Sequence, residues 1–108
     1  MTDKIKPVKS SQQKKTPPQW YVYILRCEGG ELYTGITTDV KRRFAEHKNG
    51  LCKGAKYTRT HPPVSVAAVF DAKDRSEASR LEYAIKKLTK KEKEMLITAP
   101  ERIEDMRG

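Results

Sequence analysis

"WYVYILRCEGGELYTGI", residues 20–36, decides how this chain folds. Its first eight residues are aromatic or β-branched for the most part, the types that suit a pleated strand. Glu28-Gly29-Gly30-Glu31 supplies a turn, and "LYTGIT" runs back, so residues 20–36 read as a β-hairpin. Two local features work against stability just beyond the turn. Gly35 sits inside the returning strand, where glycine packs nothing and loses the most chain entropy. The helix that follows opens on Lys41-Arg42-Arg43, although its N-terminus favours carboxylates.

Working outward, residues 1–19 are rich in lysine, serine, glutamine and proline and have almost nothing to bury. They read as a flexible basic tail. After the hairpin, Thr38 or Asp39 can cap a helix that runs to about Lys48 and stops at Asn49-Gly50. Residues 49–63 make a long connection ending in Pro62-Pro63, a length usually reserved for functional or disordered loops. "VSVAAVF" is a third strand. Asp74 with Glu77 starts the helix "SEASRLEYAIKKL", and Thr89 with Glu92 forms a capping box for a short helix, "KKEKEMLI". Pro100 closes that helix, and residues 100–108 are expected to fray. The expected domain spans residues 20–99 in the order β-β-α-β-α-α. This is an α+β fold with a small, mainly antiparallel three-stranded sheet flanked by helices.

A chain of 108 residues supports one modest core. Its net charge of +9, from 23 basic and 14 acidic residues, points to an anionic partner such as nucleic acid. The tail carries five lysines and one aspartate, and residues 48–63 hold Lys48, Lys53, Lys56 and Arg59 with no acid. Cys27 and Cys52 have neither metal-type spacing nor a disulfide framework, as expected for reduced thiols in a cytoplasmic protein. No apolar run suits a signal h-region or a membrane span.

Two charged residues stand where apolar ones are expected. On the first helix, Val40, Phe44 and His47 fall at i, i+4 and i+7, and Arg43 lies at the edge of that stripe. On the helix after the third strand, Ala78, Leu81, Ile85 and Leu88 form the stripe, and Glu82 sits inside it. A charge near a core has to be paired, coordinated or wetted. One reading is a buried Arg43–Glu82 salt bridge. The other is a cleft, with Arg43 facing an anion, Glu82 facing a cation, and Tyr21, Tyr23, Tyr33 and Gly35 lining the strands.

These residues carry a family resemblance. "YVY" at 21–23 and "YTG" at 33–35, ten residues from Tyr23 to Tyr33, resemble the paired signature of the GIY-YIG nuclease superfamily. Arg43, His47 and Glu82 follow in order, and the resemblance covers residues 20–97. "YTGITTDVKRRFAEH", "GAKYTR" and "RLEYAIKKL" are most similar to its small stand-alone bacterial members. This chain departs from the pattern in the leading Tyr21, in Thr34, in Ile36 where a lysine is common, and in lacking a late asparagine.

The resemblance implies a metal-dependent endonuclease hydrolysing phosphodiester bonds, with DNA the expected substrate ahead of RNA. It implies Glu82 as the single ligand of Mg²⁺ (or Mn²⁺) and Arg43 as the clamp on the scissile phosphate. Tyr23 or Tyr33 would activate water, Tyr33 being favoured because its strand leads directly into the Arg43 helix. His47 would assist proton transfer or bind phosphate, or else serve as a structural histidine. Lys53, Lys56, Tyr57 and Arg59 would grip the backbone and stack on a base, and Gly35 would let substrate or helix approach the strand. A monomer is expected, with a protein partner or a special DNA structure adding selectivity. The alternative is a non-catalytic nucleic-acid-binding module on the same scaffold.

Overall fold

The computed structural model describes residues 19–49 and 61–107. Three strands, β1 (Trp20–Cys27), β2 (Leu32–Thr37) and β3 (Pro63–Ala72), pair antiparallel in the order β2-β1-β3. The expected α+β class and three-stranded sheet are both present. The hairpin turn is a short 3-10 segment, Glu28–Gly30, in which Gly29 and Gly30 take φ of 85° and 83°. Side chains rarely adopt that left-handed backbone, which accounts for the glycine pair.

β1 is the central strand and is buried on both faces. Val22 and Ile24 point to one side, and Tyr23, Leu25 and Cys27 to the other. This explains why "YVYILRC" is almost continuously apolar rather than alternating. β3 carries an extra residue at Ala67 and again at Val64, where its register against β1 slips.

Helices cover the two faces separately. α1 (Val40–Lys48) lies on the Tyr23 face, where Val40 and Phe44 pack with Leu25 and Tyr33. α2 (Arg75–Lys86) and α3 (Lys90–Thr98) lie on the Val22 face, where Ala78, Leu81, Ile85 and Leu96 meet Ile24 and Phe70. All three starts are capped. The Asp39 carboxylate accepts from Arg42 N–H, Asp74 accepts from Glu77 N–H, and Thr89 with Glu92 closes a reciprocal capping box.

The chain end differs from the expected fraying. Pro100–Ile103 forms a 3-10 turn and Glu104–Arg107 a last helical turn, α4. Ile103 is buried in the main core, and Arg107 reaches Asp71 on β3, Glu77 on α2 and its neighbour Glu104. One buried isoleucine and one multiply bonded arginine suffice to dock a segment that otherwise reads as polar. No helix among the described residues is long and apolar enough to cross a membrane.

Candidate active site

Strand register places Tyr23 opposite Gly35 and Leu25 opposite Tyr33, so both tyrosines stand on the face that α1 covers. α1 in turn presents His47 from its last turn. Tyr23 and His47 are almost wholly buried, and the Tyr23 hydroxyl lies 3.0 Å from His47 Nε2. The Tyr33 ring meets the imidazole edge-on with centroids 5.0 Å apart, and Tyr23 and Tyr33 lie 6.5 Å apart. Three of the expected site residues thus form one contiguous cluster.

Burial pushes the His47 pKa below its ordinary value, the neighbouring Arg43 charge adds to this, and Glu46 opposes it. A neutral imidazole has one donor and one acceptor nitrogen. Whichever nitrogen carries the proton, Nε2 can either accept the phenol proton or donate to the phenol oxygen.

Gly35 has a more specific reason than substrate approach. A Cβ at this position would fall 2.6 Å from Cζ of Tyr23. The missing side chain is the space that Tyr23 occupies, so the glycine exists to let that ring cross the neighbouring strand.

Arg43 lies one turn before His47 on α1, about one-third exposed, and its guanidinium is 3.1 Å from Glu46 Oε1. Arg42 approaches the other oxygen of the same carboxylate at 3.8 Å. Glu46 therefore helps to hold Arg43. Its i,i+3 spacing in "RFAE" was the sequence signal for this pair.

Glu82 is carried by another helix. It lies on α2, against the opposite face of the sheet, and its carboxylate pairs with Lys86 at 3.0 Å. Among the described residues, Arg43 and Glu82 make no ion pair with each other, so the buried salt-bridge reading finds no support. α2 packs along β1 and β2.

No three His, Cys, Asp or Glu side chains gather into a metal cage among the described residues. One partly exposed carboxylate suits instead a hard cation that keeps waters and takes its other oxygens from phosphate. Lys53, Lys56, Tyr57 and Arg59, the expected backbone grip, lie outside the described residues.

Comparisons with known proteins bear on the family of the chain. A family model described as the GIY-YIG catalytic domain matches residues 19–95. A UPF0213 protein of Desulfotalea psychrophila is 51% identical over 85 residues, covering 79% of this chain and 76% of that one. A UPF0213 protein of Cronobacter sakazakii is 47% identical over 90 residues, covering 83% and 93% of the two chains. Among solved structures, a solution NMR structure of a protein from E. faecalis is 39% identical with a TM-score of 0.53, covering 78% of this chain and 88% of that one. The chain belongs to the GIY-YIG family, among the small single-domain bacterial proteins that carry this catalytic domain.

Proposed function

We propose that the protein is a metal-dependent endonuclease that hydrolyses phosphodiester bonds in DNA. The observation that carries this reading is the contiguous Tyr23–Tyr33–His47 cluster beside Arg43, in a chain of the GIY-YIG family. Tyr33 is the tyrosine that faces the reaction. It is only partly buried, whereas Tyr23 is inaccessible and engaged with His47. Tyr33 orients and deprotonates the attacking water, while Tyr23 and His47 hold its ring in place. A neutral phenol is a poor base at neutral pH, so in this role Tyr33 acts as the phenolate.

Arg43 binds the scissile phosphate through paired N–H donors, in a planar fork that lysine cannot reproduce. Glu82 is the carboxylate that would hold Mg²⁺, or Mn²⁺, in place of its ion pair with Lys86. The ion, when bound, polarises the phosphoryl oxygen and stabilises the leaving alkoxide.

The test is nicking of labelled single- and double-stranded DNA with and without Mg²⁺. Glu82→Gln and Arg43→Ala are expected to abolish metal-dependent cleavage while leaving the fold intact. Wild-type cleavage by both variants overturns the assignment. Ile36 in place of the common lysine, and the missing asparagine, favour a second reading, a binding module without catalysis. That reading expects salt-sensitive binding and no cleavage with any divalent ion.

A further inference from the structure

The positive charge of the folded part is concentrated in two segments, residues 48–61 and residues 80–93, and the remainder of residues 20–108 is net acidic. The second segment spans the last two turns of α2 and the first turn of α3. It carries six cations between Arg80 and Lys93, against Glu82 and Glu92 alone. Both acids are engaged. Glu92 accepts from Thr89 N–H in the capping box, and Glu82 pairs with Lys86.

Helix energetics alone do not ask for this pattern. Lys90, Lys91 and Lys93 occupy the first turn of α3, where the dipole disfavours cations. Lys90 Nζ extends towards the hairpin turn and lies 3.4 Å from where a Cβ of Gly30 would be. The corner therefore presents its charge across both the helical and the hairpin surface.

An aromatic ring stands in the middle of this charge. Tyr83 is 65% exposed, the most exposed large apolar side chain among the described residues. Lys87 Nζ sits 4.4 Å from its ring centroid. Arg80, Tyr83 and Lys87 fall at i, i+3 and i+7, so one side of α2 carries a cation, a ring and a cation over about 10 Å, at about 1.5 Å rise per residue. Lys86, bonded to Glu82, borders that stripe and joins it to the candidate metal ligand.

We propose that this outer face of α2, continued onto Lys90 and Lys91, is a second nucleic-acid contact that holds the strand flanking the scissile phosphate. The cations bind phosphates, and the free ring face of Tyr83 packs against a base or sugar. The proposal rests on the nucleic-acid reading of the neighbouring site and extends it to residues that take no part in the chemistry. A strand held here is placed beside Glu82 before any metal joins it.

The test is fluorescence anisotropy of the full chain with a 5′-labelled DNA oligonucleotide in EDTA, across a range of salt concentrations. Tyr83→Ala is expected to weaken binding about tenfold, and Tyr83→Phe to bind like wild type. The Arg80→Ala/Lys87→Ala double variant is expected to reduce the slope of log K against log salt by about 1 to 2. Thermal midpoints by circular dichroism confirm that these surface variants fold. Binding within twofold of wild type and an unchanged slope in the Tyr83→Ala and double variants overturn the proposal, as does wild type that fails to bind. A wild type that binds through these residues but never nicks DNA refutes the endonuclease reading and leaves this one standing. Nicking by a wild type whose surface variants bind unchanged refutes this one alone.

Discussion

Three single residues on β2 and α1 have environments that set measurable quantities. Gly35 is the first. Alanine there would drive a methyl into the Tyr23 ring, which is buried and tied to His47 and has little room to retreat. Gly35→Ala is expected to lose about 1–3 kcal/mol of stability by urea unfolding. Thr34 is the opposite case. Its hydroxyl is buried on the Val22 face without a hydrogen-bond partner, so Thr34→Val is expected to gain about 1 kcal/mol in the same measurement. His47 sets a pH dependence. Its folded pKa lies below the value of 6.5 it would have when unfolded, so the unfolded chain binds more protons as pH falls below that value. Stability present above pH 6.5 is therefore lost on acidification through the lowered pKa. Thermal midpoints between pH 7 and pH 5 should fall in wild type and fall less in His47→Gln. The tyrosine face was legible from period-two spacing and the His47 stripe from period-four spacing. The Tyr23–His47 bond was not, because it depends on where α1 comes to rest over the sheet.

At the scale of elements, what could be read was what is local. Turn glycines, Asp39, Asp74 and the Thr89–Glu92 box are signals confined to a few residues, and each works as its sequence suggests. What escaped was settled by long-range contacts. "PERIEDMR" has two apolar residues and reads as a loose end, yet Ile103 enters the core and Arg107 ties α4 to β3 and α2. Arg107 bonds the Asp71 carbonyl as well as both carboxylates, with its side chain mostly buried. Arg107→Ala is expected to cost about 1 kcal/mol and to loosen residues 100–107 first. Amide hydrogen exchange checks this, since uniform loss of protection across the whole sheet would contradict a local clamp. The placement of the helices that carry Glu82 and Arg43 has the same origin. Both interrupt an apolar stripe, but only the sheet topology reveals that the stripes face opposite sides.

The whole molecule is a small α+β fold whose sequence gathers most of its positive charge in a few segments. Residues 48–61 and 80–93 carry this excess and are separated in sequence by β3, while the remainder of residues 20–108 is net acidic, a balance that suits the proposed nucleic-acid partner. Under the proposed function, affinity depends mainly on counterion release. If about four phosphates are neutralised, binding of a labelled oligonucleotide should weaken about a hundredfold between 50 and 200 mM salt, since each contact contributes about 0.7–0.9 to the slope. Magnesium enters the same balance, because it competes for phosphates while supplying the ion that Glu82 would hold. Cleavage is therefore expected to rise and then fall with Mg²⁺ concentration, and the fall should be reproduced by a non-catalytic salt at equal ionic strength. An affinity independent of salt would mean that apolar and hydrogen-bonding contacts dominate, and the concentration of lysines at the α2–α3 corner would then need another cause.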